Sequence, residues 1–273
     1  MGIWRIRREN VMAYLSKCIC VIAAGLFFYS CSNTSSNESS TVNAQLNQDS
    51  VSKASSSLTA EQISKEILLG KFEPSKTPNF VAVPEDMCSK PMYVQKETLE
   101  AFINLKKEAE TAGINLQIVS GTRNFYDQKA IWERKWESYK VSISDSLAIA
   151  NEILKFSSMP GTSRHHWGTD IDLNSVETVY FESAEGTKLY NWLKENAGKH
   201  GFCQVYSDKA ADGRSGYSME KWHWSYLPLA NTYLQAYNSK ITYSDINGFV
   251  GDRYPEKIGV IQNYVNGLSK SCN

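Results

Sequence analysis

The chain has 273 residues, 42% of them hydrophobic, enough to bury the core of one domain of moderate size. Its 29 Lys and Arg balance 29 Asp and Glu, so no excess of basic charge argues for a nucleic-acid partner. Only four His occur, which makes the place of each informative.

Residues 1–30 read as a secretory signal. Arg5, Arg7 and Arg8 precede an apolar run over residues 18–28, about 10 residues long and too short to span a bilayer comfortably. Met12 is an alternative start, with Lys17 as its basic residue. Ser30-Cys31 resembles the lipobox of bacterial lipoproteins, in which the Cys becomes the lipidated first residue of the mature chain. Phe28 and Tyr29 stand where Leu and Ala are usual there. A plain secretory signal and a retained anchor are the alternatives. Residues 31–57 are rich in Ser, Asn, Thr and Gln and poor in large apolar residues. That composition predicts a flexible tether. Outside the signal and Cys31, three Cys remain: Cys88, Cys203 and Cys272. An odd number cannot close a complete disulfide framework. One bridge and three free thiols are both open.

The folded region is expected from residue 58 to 238. A short helical pattern covers 59–69 and stops at Gly70, and 74–91 reads as irregular. Leu99, Phe102, Leu105 and Ala109 recur at helical spacing, with Gly113 as the stop. Ile114, Leu116 and Ile118 alternate as in a half-buried strand, and 120–123 is the turn leaving it. Two helices are expected at 126–139 and 144–156, followed by a loop at 157–162. A strand at 169–173 would put Asp170 and Asp172 on one face. Further on come a helix at 187–199, strands at 202–206 and 221–226 around a polar loop at 208–217, and a helix from Pro228 to about 237. Residues 239–273 carry weak signals and read as a C-terminal extension. The mixed order predicts an α+β domain with a small, largely antiparallel sheet and flanking helices.

Two segments carry the chemistry. In the first, His165 and Asp172 lie seven apart with Gly168 between them. In the second, Glu220 precedes His223 by three. Two imidazoles and one carboxylate are a common protein ligand set for a catalytic zinc ion, leaving one position open. A carboxylate that does not bind the metal can act as a base. In a strand, His223 would point away from Trp222 and Trp224.

The pattern Ser163-x-His165-x-x-Gly168-x-x-x-Asp172, with Glu220-x-Trp222-His223, resembles the signature of the VanY-type D-alanyl-D-alanine carboxypeptidases. These belong to the LAS group of zinc peptidases, peptidase family M15. The similarity runs from about residue 68 to 226 and includes Arg123 and Gln128 of a Ser-x-x-Arg…Gln pattern. Asp170 departs from it, since many members have Ala there. The resemblance implies the LAS/hedgehog-type fold and one zinc ion per domain, bound by His165, Asp172 and His223. It makes Glu220 the general base and then the proton donor to the leaving amine. Arg123 becomes a cation near the scissile carbonyl or the substrate carboxylate. Gln128 and Ser163 become substrate hydrogen-bonding groups, with Arg214 and Tyr217 at the rim. Trp222 and Trp224 would wall the site and buttress His223.

The expected activity is hydrolysis of the terminal D-Ala from peptidoglycan stem peptides by a monomer. It would be tethered to the membrane through lipidated Cys31 and face the periplasm or the cell exterior. An L,D-carboxypeptidase or endopeptidase with the same metal site is the alternative within the enzyme class. A non-catalytic peptidoglycan-binding lipoprotein is the alternative outside it.

Overall fold

Short apolar stretches set between polar turns give this chain small strands and amphipathic helices. The computed structural model describes residues 58–272. The expected signal, Cys31 and the tether all fall outside the described residues. In chain order the elements are α1 (Lys65–Leu68), β1 (Phe80–Ala82), β2 (Tyr93–Gln95), α2 (Lys96–Thr111), β3 (Ile118–Ser120), α3 (Phe125–Lys140) and α4 (Ser146–Ile153). There follow β4 (Asp170–Leu173), α5 (Ala184–Asn196), β5 (Phe202–Cys203), α6 (Lys209–Asp212), β6 (His223–Tyr226), α7 (Leu227–Lys240) and α8 (Pro255–Ile258).

Most expected elements are present, with shifted ends. The helical pattern at 59–69 divides into a 3-10 turn, Ala60–Gln62, and α1. Ser64 is extended and its side chain caps the Ile67 amide, which restarts the helix. The stretch read as irregular contains β1 and leads into β2; the two form a hairpin, paired antiparallel with Phe80 opposite Gln95. Asn124 and Asp127 form a reciprocal cap at the start of α3, bonding each other's backbone amides at 2.9 and 3.0 Å.

The main sheet has the order β3-β4-β6-β5, with every pair antiparallel. Its strands alternate, and one face is apolar. Ile118, Ile171, Leu173, Phe202 and Trp224 pack there against Phe102 and Leu105 of α2 and Leu193 of α5. A second apolar cluster joins α3, α4 and α7 through Trp132, Ile149, Ile153, Tyr233 and Tyr237. The segment set apart by sequence as 239–273 packs onto this same cluster through Ile241, Ile246, Phe249, Val260, Val265 and Leu268. Each such side chain contributes about 1.5–3 kcal/mol on burial, a large share of a domain's net stability. Cys272 is also bridged to Cys203 across 69 residues, while Cys88 is a buried free thiol.

Candidate active site

The polar face of the sheet carries the site, and strand register assembles it. Across the β4–β6 pair, Asp172 lies opposite His223 and Asp170 opposite Ser225. Residues opposite each other on one face bring their side chains together. His165 comes from a 3-10 turn, Arg164–Trp167, ended by Gly168 at φ 70°. A β-carbon on Gly168 would come within 2.6 Å of the Phe80 ring and 3.1 Å of the Gln95 amide. Glycine is therefore needed both for the left-handed turn and for the close approach of the hairpin.

His165, Asp172 and His223 each offer one ligand atom, and these atoms lie within 4.8 Å of one another. His165 Nδ1 donates to the Gly121 carbonyl at 2.8 Å, which leaves Nε2 as an acceptor. That buried Nε2 has no hydrogen-bond partner and lies 3.3 Å from Asp172 Oδ2. His223 Nδ1 lies 3.1 Å from Asp172 Oδ1 and 3.8 Å from Glu220 Oε2. Its Nε2 lies 2.9 Å from Asp170 Oδ2. An unpaired nitrogen, a second nitrogen turned inward and a carboxylate suit a divalent ion such as zinc. These donors fit one.

Burial sets the electrostatics. It pushes Glu220 up to about 8 against the pull of His223 and Arg123, with Asp172 adding to the rise. His165 is held below its ordinary value, by burial first and then by the Arg123 charge. Burial also pulls His223 down, but hydrogen bonds to Asp170 and Asp172 and their charges together lift it to about 9. The Asp172 carboxyl is held well below the usual carboxylate range although burial opposes this; with His165 neutral and its Nε2 an acceptor, the charged His223 imidazole at 3.1 Å is the group that stabilises it.

A narrow cleft opens onto these groups, lined among others by Arg123, Ser163, His165, Tyr206, Tyr217, Glu220 and His223. Nine buried side-chain polar atoms lack a hydrogen-bond partner among the described residues. Five of them belong to residues lining this cleft: Arg123, Ser163, Arg164, His165 and Tyr217. Unpaired buried polar groups are costly, and their concentration here marks a place for a polar ligand.

Three expectations are corrected by these positions. Arg214 is not at the rim. Its guanidinium donates to the carbonyls of Ser207, Ser215, Tyr217 and Ser218, so its donors are engaged in holding the loop. Gln128 does not line the cleft; its Nε2 donates to the Ser158 carbonyl at 2.7 Å and supports the loop that does. Trp224 lies in the core on the far face of the sheet, and Trp222 joins that core while its ring meets Phe156 at the cleft. The wall beside His223 is instead Tyr206, whose ring centroid lies 4.5 Å from the imidazole. His166 has no role in the motif, yet it bonds the Arg123 carbonyl at 2.7 Å and accepts from the Gly161 amide at 3.0 Å, and burial pushes it down to about 3. It is a neutral strut between the Arg123 turn and the loop carrying Ser163.

The sequence profile of the VanY D-alanyl-D-alanine carboxypeptidases matches residues 91–229, just over half of the chain. The chain belongs to the VanY family. It is 29% identical over 121 residues to a D-alanyl-D-alanine carboxypeptidase of Enterococcus faecalis, covering 44% of this chain and 43% of that one. It spans about half the length of the curated relatives it matches. Solved VanY-family structures are similar over part of the chain. VanYB in complex with D-alanine-D-alanine has 25% identity and a TM-score of 0.44, covering 57% of this chain and 84% of that one. A point mutant of the vancomycin-resistance D,D-pentapeptidase VanY in complex with Zn(II) has 22% identity and a TM-score of 0.43, covering 61% and 94%.

Proposed function

We propose that this protein is a zinc-dependent carboxypeptidase that removes the terminal D-Ala from peptidoglycan stem peptides at the cell envelope. Membership of the VanY family supports the reaction class. The observation that carries the mechanism is Glu220, which is buried, faces the same cleft as His165, His223 and Arg123, and is pushed up to about 8. A base is most effective when its pKa lies near the working pH.

His165, Asp172 and His223 would hold the ion. Zinc bound there would polarise the scissile carbonyl and make water a better nucleophile near neutral pH. Glu220 takes the proton from the attacking water and returns it to the nitrogen of the departing D-Ala. Arg123, with its Nε unpaired, binds the substrate carboxylate or the developing oxyanion. The Ser163 and Tyr217 hydroxyls, both unpaired on the cleft wall, hold the peptide. Cys31 carries lipid in this reading, and residues 31–57 tether a monomeric domain to the membrane.

Mass spectrometry of pentapeptide muropeptides incubated with the purified protein tests the proposal. Release of one terminal D-Ala, stopped by a chelator, is the expected result. Shortening of tetrapeptides instead would make it an L,D-carboxypeptidase, and cutting of cross-links an endopeptidase. Binding without cleavage would leave a peptidoglycan-binding lipoprotein.

A further inference from the structure

Asp170 is a buried charge that the reaction does not use. It is fully buried beside the metal-ligand cluster, and both of its oxygens are engaged. Its Oδ2 accepts from Arg164 Nε at 2.9 Å and meets His223 Nε2 at 2.9 Å. Its Oδ1 accepts from the Thr169 hydroxyl at 2.7 Å and the Ser225 hydroxyl at 2.9 Å. Arg164 Nη2 closes the ring by donating to the Ser225 hydroxyl at 2.6 Å. Arg164 is itself buried and lies 4.9 Å over the Trp167 ring.

We propose that Asp170 is a positioning residue for the metal: it fixes the His223 imidazole so that Nε2 keeps its hydrogen and Nδ1 faces the ion. The argument is one of donors and acceptors. A carboxylate beside a buried guanidinium can only accept, so the His223 nitrogen pointing at it must donate. Nδ1 also meets a carboxylate, Asp172 Oδ1 at 3.1 Å, but Asp172 belongs to the ligand cluster whereas Asp170 is tied to Arg164, so the ion would take the place between Nδ1 and Asp172 and leave Nε2 bonded to Asp170. The carboxylate cannot swing away, because Arg164, Thr169 and Ser225 hold it on three further sides. Partners of this kind orient a metal-binding imidazole and increase its basicity, and their loss typically weakens metal binding by about 10–100-fold. Strand register makes the contact available. Residues 170 and 172 share a face of β4, so one side chain reaches the outer nitrogen of His223 while the next reaches the inner one.

A different role would give Asp170 the same surroundings: neutralising buried Arg164 and nothing more. The two roles separate in a set of variants. The inference rests on the zinc-enzyme reading above, and the readouts are zinc affinity by competition with a chromophoric chelator and thermal unfolding of the metal-free protein. Asp170→Ala should weaken zinc binding about 10–100-fold. Asp170→Asn, which keeps an acceptor oxygen for Nε2, should recover much of that loss. The double variant Arg164→Met with Asp170→Ala removes both buried charges. It should regain stability but stay weak for zinc. If the double variant binds zinc as tightly as wild type, Asp170 only neutralises Arg164 and the inference is overturned. Should Asp170→Ala fail to fold, the Asn and double variants still decide. Nitrogen-15 shifts of His223 in the zinc-loaded wild type give an independent reading, with Nε2 expected to be protonated and Nδ1 to be the ligand. The reverse assignment would overturn the inference alone. A wild-type chain that takes up no zinc would overturn it together with the proposed function.

Discussion

Replacing Glu220 by Gln should make the metal-free protein more stable while nearly abolishing its activity. The carboxyl is pushed from its ordinary 4.5 up to about 8 by burial. Between these values the folded chain keeps a proton that the unfolded chain has released. The stabilising contribution is therefore complete below pH 4.5 and is lost as pH rises through about 8. Each pH unit in that window costs roughly 1.4 kcal/mol, which amounts to about 3 kcal/mol by pH 7 and about 5 kcal/mol above pH 8 as an order of magnitude. Gln has similar shape and no such titration. In urea unfolding with a chelator present, the variant should match wild type near pH 4.5 and exceed it by a few kcal/mol at pH 8. Turnover on stem peptides should fall about 10²–10⁴-fold, with zinc content unchanged. Parallel pH profiles for the two proteins would refute the burial argument, and near-normal turnover would remove Glu220 from the reaction.

Four further outcomes are expected. His223→Ala should leave the protein without stoichiometric zinc. Because the metal-free imidazole is lifted to about 9, zinc uptake by wild type near pH 7 should release about one proton; calorimetry in buffers of different ionisation heat that shows no release would contradict this. Reducing the Cys203–Cys272 bridge, or Cys272→Ser, should lower stability by about 4 kcal/mol for a loop of this length, and an unchanged urea midpoint would count against it. Cys31→Ala should release the protein from the membrane fraction or leave it unprocessed. If the variant still fractionates and matures like wild type, a plain signal peptide or a retained anchor replaces the lipoprotein reading.

The His165, Asp172 and His223 cluster is legible in the sequence because each part of it is local. His165 and Asp172 sit in one short segment around a glycine, and alternation along β6 separates His223 from Trp222 and Trp224. What is not legible depends on partners distant in sequence. The hairpin β1–β2 has three-residue strands, too short to show a period. The buried residues of the C-terminal segment are scattered over single turns, so no helical or strand spacing reveals them. Gln128 reads as a substrate-binding group through the family resemblance, and Arg214 through its place in the loop before Glu220. Only the fold shows that backbone carbonyls already occupy the Arg214 donors and the Gln128 amide nitrogen. Asp170 is visible as an oddity in the motif, but its purpose lies in Arg164, Ser225 and His223, which meet it through a turn and a strand pairing.

The C-terminal segment lies beyond residues 91–229, yet it bears on Glu220. Glu220 is held through its backbone: its amide donates to the Tyr206 carbonyl at 3.0 Å, and its own carbonyl accepts from Gln204 Nε2 at 3.0 Å. The stretch 203–206 that holds it is itself held from behind. The Ser269 amide donates to the Val205 carbonyl at 2.8 Å, and Cys272 is bonded to Cys203. Tyr264 packs edge-on to Tyr217 on the cleft wall, with ring centroids 5.0 Å apart. A carboxylate whose burial raises its pKa stays effective only while its position is fixed, because a small displacement into water would return it to an ordinary acid. The candidate ligands Asp172 and His223 are placed by the direct pairing of β4 with β6, and His165 by the turn that Gly168 ends. Glu220 has no such support from β6, since it lies three residues before His223, where the strand has not begun. The C-terminal segment supplies it, and this gives residues outside the family match a physical bearing on the chemistry within it.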